Sequence, residues 1–481
     1  MVSGNKGQGR SRETFLSYMN RFVSGQFFIK EVPSYANSFW YSLGFLNMTC
    51  FAVLLLTGLV LVAFGPVWWN AAPMGVFIRS VHLWAANAFL LFLCLHAFVA
   101  FSTSGFRKPR RLLWFIGTIM FFMIAIQVEF GFGLRTDFGA QYRLLSAADF
   151  WNGNLLGNFL NVLDYGQLYG IHVALIPMLL IALIIVHYSL VKMHGLSTPY
   201  RKDIPYHMVK ADHKMLFVRG IAAVLVIVFM ALEFPSPFIP PVTIQSLATT
   251  NSSMIATTLI NELNRSSGTA TYFDGIDPYQ FNTSNVYVIG PYNQYTGNRS
   301  GNNMAAVFLS KDATAQANDI SGAMAYFTDN GTINTNPNIS NPVIPMVSSL
   351  VLMAQSGLYQ DALMNGASQY GNQTRVLRFL SDTGYISQHA GQLGINLQQY
   401  GMVFDENHLP TSWLLSPVNF IDNTVLANDS NQDRDNGLFL SILFLIMIAV
   451  PVTPLLNELP DRIGLYKLFW RSKKQEHKQR S

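Results

Sequence analysis

Six stretches of the chain, at about 39–64, 80–103, 112–132, 168–193, 217–237 and 437–457, are apolar over some twenty residues or more. A helix rising about 1.5 Å per residue crosses about 30 Å of hydrocarbon in such a run, and within a bilayer only a helix satisfies its own backbone polar groups. These runs therefore predict six transmembrane helices. Composition agrees: half of the 481 residues are apolar and 12% are charged, where a soluble domain carries about a quarter. The two cysteines, Cys50 and Cys94, both lie in apolar runs, which excludes a disulfide framework and a Cys-rich metal site. No CxxCH occurs, so covalent c-type haem attachment is excluded as well. The N-terminal stretch carries Lys6, Arg10 and Arg12 with no apolar run before residue 40, and is expected to be a polar tail rather than a signal peptide.

Basic residues in short loops stay on the cytoplasmic side. The N-terminal tail, the loop Arg107-Lys108-Pro109-Arg110-Arg111, the loop from Lys192 to Lys214 and the tail Arg471-Ser472-Lys473-Lys474 are all basic, and six spans put all four on one side. This predicts a plasma-membrane protein with both termini cytoplasmic. The expected division is a tail 1–38, a four-helix core 39–194, a loop and fifth helix 195–237, an extracellular insertion 238–436, a sixth helix 437–457 and a tail 458–481. The insertion has 12 Asp and 2 Glu against 1 Lys and 5 Arg, a net charge of −8, leaving +13 on the rest. It carries sequons at Asn251, Asn264, Asn282, Asn298, Asn330, Asn338, Asn372 and Asn428, which predict a glycosylated outer domain. Short segments such as Val286-Tyr287-Val288-Ile289 suggest strands and 344–380 suggests helix, so a mixed or β-rich domain is expected. The fold class is thus mainly α, a six-span bundle with an inserted outer domain. Low charge outside suits an acidic medium, in which carboxylates are largely neutral, and points to an archaeal plasma membrane.

Four histidines stand inside predicted spans, His82 and His96 in the second and His172 and His187 in the fourth. Ionisable groups in a membrane are costly and mark functional sites. The spacing from His82 to His96 is 14 residues, about 21 Å of rise and about 40° short of whole turns; from His172 to His187 it is 15, about 22 Å and about 60° over. Each helix presents one imidazole near each membrane face. Both spans run outside to inside, so His82 pairs with His172 at the outer level and His96 with His187 at the inner one. Paired imidazoles suit haem iron, giving two stacked b-type haems. Gly44 and Gly58 in the first span, and Gly117 and Gly131 in the third, repeat the 14-residue stride. Glycine weakens a helix by about 1 kcal/mol relative to alanine; clearance for a flat macrocycle explains it, and small-residue helix packing is the alternative.

Thr49-Cys50-Phe51 with Thr57-Gly58, Arg79-Ser80-Val81-His82, Leu95-His96, Gly105-Phe106-Arg107-Lys108-Pro109-Arg110 before Trp114, and His194-Gly195-Leu196-Ser197 before Pro199 follow one another in an order that resembles the cytochrome b/b6 family of bc-type complexes. The 14 residues between His172 and His187 match b6 spacing, and Ile204-Pro205-Tyr206-His207 is similar to the start of the family's C-terminal half. The resemblance covers 39–237 and, more weakly, 404–470. It implies a dihaem cytochrome b subunit that oxidises quinol near the outer face and reduces quinone near the inner face. The implied partners are a Rieske-type iron–sulfur protein, further respiratory subunits such as a terminal oxidase, membrane lipid and a second copy in a homodimer; no nucleic acid is implied. Arg79 would pair with haem propionates outside, and Arg107, Lys108 and Arg110 inside.

The chain departs from the family in three places. Leu134-Arg135-Thr136 stands where b6 proteins carry Leu-Pro-Trp, and the Pro-Glu-Trp-Tyr quinol motif is absent, the nearest stretch being His408-Leu409-Pro410-Thr411-Ser412-Trp413. The proton acceptor for quinol then falls to Glu129, Asp137, Glu406 or His408, with a Glu129–Arg135 pair as the structural alternative for Glu129. Ser42 replaces the cysteine that holds an extra haem, so two haems are expected. His194, His207, His213, His389 and His477 are expected to be solvated or structural, with His194 and Asp203 as the alternative candidates for an inner quinone site. The lost motif also leaves open a haem b anchor that exchanges electrons between quinone and an external dehydrogenase or oxidase without bifurcation.

Overall fold

Helix α1 (Leu43–Ala71) and helix α2 (Pro73–Ser102) form a hairpin whose turn is a single residue, Ala72. Pro73 opens α2 at a position where its missing N–H costs nothing, and Gly75 lies so close to the Trp68 carbonyl that any side chain would collide with it. The computed structural model describes residues 29–199, 204, 206–272, 279, 281–297, 303–329, 333–364, 371–395, 398–399, 402–403 and 416–470. Asp203, Glu406, His408, His477, the stretch to Trp413 and the sequons Asn298 and Asn330 lie outside these residues.

Among the described residues five helices are long and apolar enough to cross a membrane: Phe39–Ala71, which includes α1, then α2, α3 (Arg111–Gly133), α5 (Tyr165–His194) and α6 (His213–Glu233). Between α3 and α5 lies the shorter α4 (Phe138–Gly153), whose first turn is capped by the Asp137 carboxylate accepting from the Ala140 amide at 2.9 Å. The spans assemble in two groups. Helices α1, α2 and α6 pack together, with Gly220 of α6 against Phe45 and Thr49 of α1; such small-residue contacts are how helices approach closely in lipid. The second group is α3 with α5. A short antiparallel pair, β1 (Glu31–Pro33) and β2 (Met208–Lys210), ties the segment before α1 to the loop before α6.

The expected sixth span is broken. Helices α16 (Gln432–Ala449) and α17 (Pro454–Ile463) are bent by 80° at the intervening Val450-Pro451-Val452-Thr453. Pro451 and Pro454 lack the amide hydrogens a continuous helix needs there. Helix α16 leans on α3, with Trp114 Nε1 donating to the Met447 carbonyl at 2.6 Å and Phe122 against Phe444.

Among the described residues, the segment between α6 and α16 is mainly helical rather than β-rich. It comprises α7 (Ile244–Thr250), α8 (Ser252–Asn264), α9 (Met304–Leu309), α10 (Ala313–Asp329), α11 (Val343–Ser356), α12 (Leu358–Leu363), α13 (Thr374–Asp382), α14 (Tyr385–Leu393) and α15 (Ser416–Thr424). The only strands described in it are the two-residue pair β3 (Gln398–Gln399) and β4 (Met402–Val403). Val286-Tyr287-Val288-Ile289, expected as a strand, lies in a π-helical turn, Ser284–Ile289. A short apolar run has no period that separates strand from buried helix. Here Asn282 accepts from the Asn285 amide to start a helix, and Tyr287 is buried against Phe379. The 344–380 region is helical as α11 to α13. The sequon asparagines Asn251, Asn264, Asn282, Asn338, Asn372 and Asn428 are all exposed.

Candidate functional site

Helices α2 and α5 carry the four histidines, and the structure brings them together in pairs. The rings of His82 and His172 face one another with centroids 6.5 Å apart. Two metal–nitrogen bonds of about 2 Å each, with the half-widths of two imidazoles, span roughly that length. His187 lies within electrostatic reach of His96 at the other level.

Hydrogen bonds fix which ring nitrogen faces inward in the outer pair. His172 Nδ1 is 2.9 Å from the Gln127 carbonyl, which can only accept, so Nδ1 carries the proton and Nε2 presents a lone pair. His82 Nδ1 is 2.9 Å from Thr57 Oγ1. That hydroxyl gives its own proton to the Val53 carbonyl at 2.7 Å, so it accepts from His82, and His82 Nε2 is likewise free. At His187 the Leu113 carbonyl lies near the ring, and among the described residues Nδ1 has no hydrogen-bond partner.

Each of the four glycines lies against one of these rings. A Cβ at Gly44 would meet His96 Cε1 at 3.4 Å, at Gly58 His82 Cε1 at 3.5 Å, at Gly117 His187 Cε1 at 3.6 Å and at Gly131 His172 Cε1 at 2.5 Å. Leu54, Leu113 and Gln127, whose carbonyls face the imidazoles, stand four residues before Gly58, Gly117 and Gly131. A helical side chain covers the turn N-terminal to its own Cα, so glycine leaves these carbonyls open toward the rings. Among protein atoms, the space the glycines leave is taken by imidazole.

The extra residue between His172 and His187 also has a structural counterpart. Ile171–Leu175 forms a π turn within α5, followed by Pro177. A π turn absorbs one residue, about 100° of helical rotation, which is the difference between the 14- and 15-residue spacings. Proline, with no amide hydrogen and a ring that crowds the preceding turn, favours such a bulge. Pro177 was the signal in the sequence for this turn, as Thr57 beside Gly58 was for the imidazole acceptor.

Glu129 of α3 accepts from Trp151 Nε1 of α4 at 3.1 Å. The alternative Glu129–Arg135 pair does not form: Arg135 is ion-paired with Asp137 and donates to the Pro237 carbonyl at 2.9 Å. Asp137 is fully buried, ion-paired with Arg135 and accepting from the Ala140 amide of α4. Arg79 is buried, donating to Asn70 and to the Ser236 carbonyl at 2.8 Å. Arg107 is held by Asn457 and Asp461 of α17. Lys108 is exposed, and Arg110 keeps a buried Nε with no partner. Ser42 Oγ donates to the Phe39 carbonyl at 2.5 Å. His213 bonds the Ile29 carbonyl at 2.9 Å and His389 packs between Phe138 and Tyr385, while His194 ends α5 and His207 is exposed.

The family described as Cytochrome b(N-terminal)/b6/petB matches residues 87–246. That segment contains His96, His172 and His187; His82 stands just before it. A cytochrome bc complex cytochrome b subunit from Chlorobaculum thiosulfatiphilum is 27% identical over 241 residues, which cover 43% of this chain and 54% of the relative. The chain thus spans about half the length of that curated relative. A chain of a solved hyperthermophilic respiratory Complex III is 16% identical, with a TM-score of 0.37 over 78% of this chain and 98% of that one.

Proposed function

Because residues 87–246 of this multi-pass membrane protein belong to the cytochrome b/b6 family, we propose that it is the dihaem cytochrome b subunit of a quinol-oxidising respiratory complex. The observation that carries this is the facing of His82 and His172 at 6.5 Å with both Nε2 lone pairs free. His82 and His172 hold the outer b-type haem, and His96 and His187 the inner one. Haem iron bound by two imidazoles has no open position and exchanges single electrons. Thr57 and Gln127 hold the outer imidazoles in the ligating tautomer, and Gly44, Gly58, Gly117 and Gly131 let the rings lie against α1 and α3. Arg110, with its unpartnered Nε, suits a carboxylate at the inner face.

In this reading quinol is oxidised near the outer level and quinone reduced near the inner one. Glu129, bonded among the described residues to the neutral Trp151 donor, takes a quinol proton, whereas Asp137 is occupied as an N-cap and ion-pair partner. The partners follow from the family: a Rieske-type iron–sulfur protein, other respiratory subunits and a second copy. The segment 238–436 is placed outside, where its exposed sequon asparagines are open to glycans. The absence of the Pro-Glu-Trp-Tyr motif favours one second reading, a haem b anchor linking quinone to an external redox partner without bifurcation.

A reduced-minus-oxidised spectrum with a haem-to-protein ratio tests the proposal. Two b-type haems per chain are expected, and replacement of His82 should remove the outer one alone. No haem would defeat both electron-transfer readings. Inhibition by quinol-site blockers, with an iron–sulfur protein co-purifying, selects the first over the second.

A further inference from the structure

Glu262, on the last turn of α8, is fully buried in the inserted domain and faces Asp382, the last residue of α13. Two of the four carboxyl oxygens have donors: Glu262 Oε2 accepts from Ser267 Oγ at 2.6 Å, and Asp382 Oδ1 from the Thr269 amide at 3.1 Å. The other two, Glu262 Oε1 and Asp382 Oδ2, are both buried and have no partner. Two buried oxygens that can only accept, on carboxyls that face one another, are reconciled by one shared hydrogen.

Among the described residues the cation that acts on the pair is Arg378, whose field reaches Asp382 while its hydrogen bond goes to Asp149. The titratable groups packed around the pair are Tyr287 of the 284–289 turn, Tyr359 of α12 and Arg378 of α13. Tyr287 donates to the Arg375 carbonyl at 3.0 Å and Tyr359 to the Tyr287 carbonyl at 2.7 Å. Arg378 is directed at Asp149 of α4, 3.1 Å away.

We propose that Glu262 and Asp382 share a single proton in an acid-to-carboxylate clamp that fastens α8 to α13 and opens as the medium turns alkaline. Opening releases that proton to solvent and leaves two carboxylates, whose repulsion and hydration separate the helix ends. Burial, reinforced by the Asp382 carboxyl, pushes the Glu262 carboxyl up to about 9. The folded domain therefore binds a proton that the opened one does not between the ordinary carboxylate range and about pH 9. The clamp is at full strength below that window and is lost as pH rises through it. Arg378 stands one helical turn before Asp382 and bonds Asp149, so loosening α13 also loosens the insertion from the membrane core.

Hydrogen exchange of the full-length protein in detergent, corrected for intrinsic rates and read by mass spectrometry at pH 5, 7 and 9.5, tests this. In the wild type, the opening equilibrium of α8 and the end of α13 should grow by up to about tenfold per pH unit, while α11 of the same domain changes less. Glu262→Gln, whose amide can donate to Asp382 Oδ2, should flatten the profile, and Asp382→Asn supplies the same donor from the other side. A wild-type profile that is flat, or equally steep in α11, overturns the clamp whether or not the variants fold. So does a Glu262→Gln profile as steep as the wild type. Protection restored at pH 9.5 by Ca2+ and abolished at pH 7 by a chelator would overturn it too, assigning Glu262, Asp382 and the unpartnered Thr269 hydroxyl to a cation.

Discussion

Gly131 lies against the His172 ring so closely that a Cβ at that position would stand 2.5 Å from Cε1 and 3.2 Å from Nδ1 and Nε2. No side chain tolerates such an approach, and His172 is held from behind by its bond to Gln127. Gly131→Ala should therefore displace the imidazole and empty the outer haem position, at a packing cost of about 1–3 kcal/mol. Gly58→Ala, with 3.5 Å of clearance at His82, should retain both haems. Haem-to-protein ratios of the two purified variants check this ordering; equal retention in both would disprove it.

Thr57 accepts the Nδ1 proton of His82 while giving its own to the helix backbone. Thr57→Val keeps the shape and removes the acceptor. Losing a hydrogen bond that orients a ligating imidazole costs about 10–100-fold in metal affinity or activity. The outer haem should bind more weakly and shift in potential, with the inner haem unmoved, as a redox titration resolving the two spectra would report.

Much of this arrangement was legible from periodicity, because apolar length and histidine spacing are local properties of a helix. The five spans among the described residues and the levels of His82, His96, His172 and His187 are of this kind. The bend at Val450 to Thr453 was legible too, since Pro451 and Pro454 both stand there, but an apolar average over 437–457 conceals it. Val286 to Ile289 misled because Tyr287 is buried against Phe379 and its carbonyl accepts from Tyr359, tertiary contacts that override the strand propensity of the β-branched residues around it. Glu129 and Arg135 are near in sequence, yet their partners, Trp151 and Asp137, are decided by how α4 folds back on α3. The glycine stride was visible, but that each glycine faces an imidazole follows only from the pairing of α1 with α2 and α3 with α5.

Among the described residues Glu129 has one hydrogen-bond partner, the Trp151 indole N–H, and no ion-pair partner. Glu129→Gln preserves volume and can still accept from Trp151, but it cannot take a proton. Quinol oxidation should fall by about 10²–10⁴-fold, the usual contribution of a positioned general base, with both haem spectra intact. Asp137→Asn should instead lower stability through the lost Arg135 pair and α4 cap. Turnover measured against haem content separates the two outcomes, and full activity in Glu129→Gln would eliminate Glu129 as the acceptor.

Arg378 joins the inserted helices to the membrane core. Its guanidinium lies 4.6 Å from the Tyr272 ring and 4.3 Å from the Tyr279 ring, and it bonds Asp149 of α4 at 3.1 Å. Asp149 is partly exposed, so solvent screens the ion pair, and the rings supply a share of the binding. Arg378→Met keeps most of the stem packing and loses the charge, which should cost about 1–3 kcal/mol and leave Asp149 to solvent. Protease nicking between α6 and α16 should accelerate in Arg378→Met while the haem spectra stay unchanged. Asp149→Asn should have a smaller effect, because the tyrosine contacts survive, and an equal effect from both would assign the whole contribution to the ion pair.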